Sequence, residues 1–321
     1  MLPSTALRTA SRRLALHSRA LSTSAPRLSS NDGNVQLKAV ETVGVLGAGQ
    51  MGLGIALVAA KNADKKVVLV DNSEKSIEKG LSFLDKLLAK DVSKGRITTE
   101  IADAVRSKVT TSTDMGALST VDFIIEAVPE IPDLKFKIFS DLARLCREDA
   151  TLATNTSSIS ITRIAAAAGP AANRVLSTHF MNPVPIQKGV EVIRGLQTTD
   201  AHFERALGLI REMGKIPSES ADTPGFLANR ILMPYINEAI ICLETGVGKK
   251  EDIDAIMKNG TNVPMGPLQL ADFIGLDTCL AIMNVLYKDT GDSKYRPSVL
   301  LGRMVDAGWV GKKGGRGFYE Y

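Results

Sequence analysis

The chain has 321 residues, with 39 Lys or Arg against 35 Asp or Glu, a formal charge of +4, and 44% hydrophobic and 23% charged residues. That length allows one large or two ordinary domains, and the composition excludes disordered and fibrous chains. Charge interrupts the apolar runs well short of the roughly 18 to 20 residues that span a bilayer, so no membrane insertion is expected. Cys146, Cys242 and Cys279 are too scattered to suggest a disulfide framework or a metal site.

Residues 1–31 hold Arg8, Arg12, Arg13, Arg19 and Arg27, seven serines and no acid; the first carboxylate is Asp32. The continuous apolar stretch of a secretory signal is missing. The segment therefore reads as a cleaved mitochondrial transit peptide, which implies a matrix location, with a basic anion-binding tail as the competing reading. Residues 29–36 read as a polar linker, so 1–36 stand apart from the fold. Setting the five arginines aside changes the formal charge from +4 to −1. No global charge then favours nucleic acid or a membrane surface.

Thr42-Val-Gly-Val-Leu46 reads as a strand, followed at once by Gly47-Ala-Gly49-Gln-Met-Gly52 and an apolar helical run over 55–60. In that order Gly47 permits the tight turn, Gly49 lets backbone amides approach a pyrophosphate, and Gly52 lets the helix pack close to the strand. A second strand at 66–70 ends in Asp71, 24 residues after Gly47. A carboxylate there accepts hydrogen bonds from ribose hydroxyls, and the next residues are Asn72 and Ser73 without an Arg, so NAD is expected over NADP. The structural alternative is an ordinary Gly-rich turn with Asp71 as a helix cap. Helical spacing over 74–90, 134–142 and 159–168 alternates with strands at 121–125, 152–154 and 174–178. The expected fold class is α/β, a Rossmann-type doubly wound sheet over 37–221 that binds its ligands at the carboxyl ends of the strands.

Two strand ends carry polar residues suited to chemistry, Asn155-Thr-Ser-Ser158 and His179-Phe-Met-Asn-Pro183. The chain has three histidines; His17 falls in the leader and His202 in a polar helical stretch, which leaves His179 as the well-placed base near neutral pH, with a structural histidine as the equal alternative on spacing alone. Pro183 and Pro185 force a non-helical turn, and a strand at 190–193 could return Glu191 beside His179. A carboxylate that accepts the second imidazole proton fixes the tautomer and stabilises the imidazolium; Glu191 as a surface strand residue is the alternative. From Asp222 onward helices dominate. Pro224 opens one, Gly246 ends it, and 251–257, 268–273, 276–287 and 297–307 add more. An all-helical C-terminal domain over 222–321 is expected after a linker at 218–222, its Met and Leu stripes forming a core. No cluster of metal ligands is evident.

Taken together, Gly47-x-Gly49-x-x-Gly52, Asn155-Thr-Ser-Ser158, His179-Phe-x-Asn-Pro-x-Pro185, Pro224-Gly-Phe-x-x-Asn229-Arg230 and Met265-Gly-Pro267 resemble the 3-hydroxyacyl-CoA dehydrogenases, from about residue 40 to the C-terminus. The stretch from Gly291-Asp-Ser-Lys-Tyr-Arg-Pro297 to Gly317-Phe-Tyr-x-Tyr321 is similar in particular to the short, single-function 3-hydroxybutyryl-CoA dehydrogenases. The resemblance implies an NAD-dependent oxidoreductase of short 3-hydroxyacyl-CoA thioesters, acting in β-oxidation or short-chain acyl-CoA metabolism. It also implies His179 as general base oriented by Glu191, and Ser157 and Asn229 on the substrate oxygen, with Ser158 adjacent to Ser157. Glu130, Lys135, Asn182 and Lys313 match positions around the cofactor. Lys86, Lys90 and Lys94 match the region that meets the CoA phosphates, with a solvated lysine face as the alternative. Homodimerisation through the C-terminal domain is a further implication. Met181, and Gly189 where Leu is common, depart from the family pattern and bear on acyl-pocket shape. The competing functions are oxidation of a free hydroxy acid or sugar acid on the same fold, and non-catalytic NAD binding.

Overall fold

The computed structural model describes residues 37–321, so the segment read as targeting signal and linker lies outside the described residues. Eight strands form one sheet: β1 (Thr42–Leu46), β2 (Lys66–Val70), β3 (Val109–Ser112), β4 (Phe123–Glu126), β5 (Thr151–Thr154), β6 (Val175–Phe180), β7 (Gly189–Arg194) and β8 (Ile216–Ala221). Their order is β3-β2-β1-β4-β5-β6-β7-β8. The first six run parallel; β7 is antiparallel to β6, and β8 is parallel to β7. Strand order reverses between β1 and β4, which opens a crevice at the carboxyl ends of those strands.

Helices cover both faces: α1 (Gln50–Asn62), α2 (Glu74–Ser93), α3 (Thr99–Ser107), α4 (Pro132–Leu145), α5 (Ile161–Ala167) and α6 (Asp200–Glu212). β1, β2 and β4 therefore carry apolar side chains on both sides. In β4, Phe123 and Ile125 pack into a core with Ile55 of α1 and Ile210 of α6, whereas Ile124 packs into a second core with Phe139 of α4 and Ile164 of α5. His202, read as polar, is buried in α6, where Nδ1 meets the Thr151 hydroxyl at 2.8 Å. Burial, with Arg205 and Arg174 nearby, pushes its pKa down to about 4. This histidine is structural.

Three expectations need correction. The segment 218–222 is not a linker, because residues up to Ala221 form β8, and β3 is a further strand beyond those expected. Both are edge strands. β3 buries only Val109, and β8, Ile-Pro-Ser-Glu-Ser-Ala, is exposed or half-exposed except at Ser220, so neither carries an apolar alternation. Asp222 then caps α5 from a distance, accepting from the Ile161 and Thr162 amides and the Ser160 hydroxyl at 2.8–2.9 Å. Lastly, Pro224 opens a turn and not a helix: Gly225 and Phe226 have φ of +78° and +47°. A left-handed Phe costs about 1–3 kcal/mol, and it is held by burial against Ile161 and Ile193.

The remaining helices are α7 (Ala228–Glu244), α8 (Lys250–Gly260), α9 (Pro267–Ile274), α10 (Leu276–Thr290) and α11 (Val299–Asp306). Their core holds Met233, Ile236, Ile240, Leu268, Leu276, Met283, Leu286, Leu301 and Met304, together with Phe318 from the C-terminal tail. Buried Asp254 caps α9 at the Leu268 and Gln269 amides, and buried Asp272 accepts from the Phe318 and Tyr319 amides, fastening that tail. Among the described residues no single helix is long and apolar enough to cross a membrane.

Candidate active site

The turn after His179 brings the chain straight back as β7. In the antiparallel β6–β7 pair His179 and Glu191 are directly opposite, so their side chains share one face of the sheet. The His179 ring meets Glu191 Oε2 through Nδ1 at 2.7 Å, with both residues buried. That contact assigns the Nδ1 proton to the side facing the carboxylate and leaves Nε2 as the proton acceptor. The other oxygen, Oε1, accepts from the Leu227 and Ala228 amides at 2.7 and 2.8 Å. These amides open α7, where the helix dipole favours an anion. Burial pushes the Glu191 carboxyl upward, but the His179 hydrogen bond and the Ala228 and Leu227 amides outweigh it and hold the pKa below the ordinary 4.5. Phe226 stands edge-on to the imidazole, with ring centroids 6.0 Å apart.

The serine loop follows β5. Asn155 Oδ1 accepts from the Phe180 amide at 2.8 Å, which ties this loop to the strand that carries His179. Glu130 Oε1 accepts from the Thr156 hydroxyl at 2.5 Å, from the Ser157 and Ser158 amides at 2.8 and 3.1 Å, and from the two serine hydroxyls at 3.2 and 3.1 Å. Burial raises its pKa, but Lys135 and these donors prevail and the net shift is downward. Asn229 Nδ2 reaches the Ser157 carbonyl at 3.4 Å, so the helical domain also touches this loop. Lys135 is 1% exposed. Its ammonium lies 2.6 Å from Glu126 Oε1 and 3.3 Å from Glu130 Oε2, so its reach toward a ligand runs through Glu130.

A cleft of about 900 Å³ lies over the β1–β4 crevice, lined by Gly47, Ala48, Gly49, Gln50, Asp71, Asn72, Val128 and Pro129 among others. A Cβ on Gly52 would stand 1.9 Å from the Gly47 carbonyl oxygen, so only glycine lets α1 start there. A Cβ on Gly49 would meet nothing within 4 Å: the space is open on the side from which a pyrophosphate would approach. Asp71 accepts from the Ala48 amide at 2.8 Å and the Ser73 amide at 2.9 Å, holding the glycine loop against the start of α2. The cradle, the open glycine and the carboxylate at the end of β2 fit a dinucleotide. Asn182 Oδ1 accepts from Gln50 Nε2 at 3.1 Å, bridging the histidine loop and the glycine loop. Lys313 is not brought to this cleft; it pairs with Asp277 in the helical domain at 2.8 Å. Lys86, Lys90 and Lys94 are exposed, on α2 and just after it. No group of three His, Cys, Asp or Glu side chains that could hold a metal ion occurs among the described residues.

Sequence reasoning passed over Gln50, Phe226 and Glu126. Glu126 carried a legible signal, a carboxylate closing an otherwise apolar strand. Nothing local marks the contacts of the other two.

Residues 42–223 match the NAD binding domain of 3-hydroxyacyl-CoA dehydrogenase and residues 225–321 match its C-terminal domain. The chain belongs to the 3-hydroxyacyl-CoA dehydrogenase family, and its amino-terminal domain is an NAD-binding domain. It is 49% identical over 282 residues to a probable 3-hydroxybutyryl-CoA dehydrogenase of Bacillus subtilis, covering 88% of this chain and 98% of that protein. It is also 49% identical over 282 residues to a 3-hydroxybutyryl-CoA dehydrogenase of Bradyrhizobium diazoefficiens, covering 88% and 96%. The crystal structure of an (S)-3-hydroxybutyryl-CoA dehydrogenase from Ralstonia eutropha superposes with a TM-score of 0.85 at 44% identity, covering 88% of this chain and 99% of that one.

Two outcomes follow from this geometry. Gly49→Ala is expected to melt like the wild type but to bind NADH more weakly by fluorescence titration, whereas Gly52→Ala loses stability; wild-type NADH affinity in Gly49→Ala would contradict the cradle. A carboxyl with a depressed folded pKa contributes stability that is complete above its unfolded value and is lost as pH falls through the folded one. Urea midpoints should therefore fall below about pH 4.5, and less steeply in Glu191→Gln; parallel pH profiles would refute this.

Proposed function

We propose that the chain interconverts a short-chain 3-hydroxyacyl-CoA and its 3-oxoacyl-CoA, with 3-hydroxybutyryl-CoA and acetoacetyl-CoA as the principal pair. The observation that carries this reading is the buried His179–Glu191 pair at 2.7 Å, on a strand tied to the serine loop and followed by a loop tied to the glycine loop. The names of the relatives supply the thioester. NAD, when bound, supplies the hydride acceptor. His179, held by Glu191 as an Nδ1 donor, takes the 3-hydroxyl proton at Nε2 and returns it in the reverse direction; the carboxylate stabilises the imidazolium in between. Asn229 Nδ2 lies 3.4 Å from the Ser157 carbonyl, which keeps the two residues side by side to bond the substrate oxygen as it changes from hydroxyl to carbonyl. The Ser157 and Ser158 hydroxyls both donate to Glu130 Oε1, so the one that bonds the substrate oxygen turns its proton away from that carboxylate, and Ser158 is the alternative to Ser157. Lys90, exposed near the end of α2, is assigned to the CoA phosphates.

A homodimer through the helical domain belongs to the same reading. It is supported by a cavity of about 970 Å³ lined by Tyr235, Ile241, Cys242, Val247, Ile256 and Met257, with Val247 and Ile256 largely exposed. A patch of that kind on a monomer marks an interaction site. A mitochondrial matrix location is proposed from the Arg-rich, acid-free start, which precedes the family match beginning at residue 42.

The deciding assay is NADH oxidation with acetoacetyl-CoA compared with free acetoacetate. Turnover is expected only with the thioester, falling about 10²- to 10⁴-fold in His179→Gln, while Lys90→Glu raises the thioester KM and leaves NADH binding unchanged. Equal rates on free acetoacetate, or near-wild-type turnover without the imidazole, would defeat the reading. Sedimentation velocity should find a two-chain species, and residues 1–35 fused to a reporter should enter mitochondria; a monomer or a diffuse cytosolic signal would reject those two assignments.

A further inference from the structure

Glu126, the last residue of β4, is fully buried and does not line the dinucleotide cleft, yet it holds three segments together. Its Oε1 accepts from Lys135 Nζ of α4 at 2.6 Å and from the Val128 amide at 2.7 Å, and its Oε2 accepts from the Thr154 hydroxyl of β5 at 2.7 Å. A buried carboxylate is tolerated only when so satisfied. An ion pair that served stability alone could be replaced by apolar groups of the same shape.

Two routes lead from Glu126 to the serine loop. Through Lys135, the ammonium is shared with Glu130 Oε2 at 3.3 Å, and this fixes the rotation of the carboxylate whose other oxygen gathers Thr156, Ser157 and Ser158. Through Thr154, the same hydroxyl that donates to Glu126 accepts from the Thr156 amide at 3.2 Å. Glu126 thus grips the loop from both sides. Without its charge the buried ammonium has one carboxylate partner left, Glu130, and would draw it off the loop.

We propose that Glu126 is a positioning residue for the reaction, acting through Lys135–Glu130 and Thr154–Thr156 to set the serine hydroxyls against the substrate oxygen. This rests on the reading of the site given above. A displacement of about 1 Å at a reacting group is enough for about a 10²-fold loss of rate.

The test uses the full chain, with Glu126→Gln and Thr154→Val assayed well below their melting midpoints for NADH affinity and for acetoacetyl-CoA turnover. Glu126→Gln should lower kcat about 10²-fold and Thr154→Val about tenfold, with the KM for NADH within about threefold of the wild type. Folded variants with wild-type kcat would overturn the proposal, as would loss of NADH affinity in step with kcat, since that reports a collapsed cleft. If Glu126→Gln does not fold, Thr154→Val carries the test by itself, because it removes one hydroxyl and no charge. A wild-type chain that binds NADH but does not turn over acetoacetyl-CoA would reject the substrate assignment instead, a result distinct from either failure here.

Discussion

One carboxylate bonds to both halves of this molecule. Glu191 bonds the His179 ring with one oxygen and the first two amides of the α7 region with the other. Its burial is unfavourable by itself, and what offsets it comes from both domains: an imidazole on the sheet and a helix N-terminus opposite. The base is therefore complete only when the helical domain is seated. The left-handed turn at Gly225 and Phe226 aims those amides at Glu191 and places the Phe226 ring edge-on to the imidazole, so a strained backbone is retained where it serves the site.

The reversal of strand direction after β6 makes this possible. A parallel connection needs a crossover of a dozen or more residues, whereas the antiparallel return at Gly189 puts Glu191 in register with His179. The other functional loops hang from neighbouring strand ends, and hydrogen bonds between loops fix their spacing: Asn155 to Phe180, Gln50 to Asn182, Glu130 to the serines. Each bond spans two segments distant in sequence, so the site has little freedom to drift relative to the sheet.

Much of this was legible in the sequence. The glycine loop, the Asp71 carboxylate and the apolar runs of β1, β2 and β4 carry strong local patterns, because strands buried on both faces are rich in Val, Ile and Leu. The edge strands β3 and β8 do not; each buries a single residue, so Thr or Ser suffices and 218–222 reads as a linker in the sequence. The pairing of His179 with Glu191 could be anticipated from a turn flanked by prolines, but the second hold on Glu191 could not. It is made by backbone amides, which any residue supplies. The same limit hid the distant cap that Asp222 makes on α5. Lys135 was placed near the cofactor by family position, and its burial against Glu126 shows a side chain committed to the floor beneath the serine loop.

The central claim is that Glu191 serves base and helix at once, and Glu191→Ala tests it most directly by pairing acetoacetyl-CoA turnover with hydrogen exchange at the Leu227 and Ala228 amides. Loss of turnover together with faster exchange at those two amides is the result this structure predicts. Turnover lost while both amides keep their protection, or exchange accelerated with turnover intact, would contradict it.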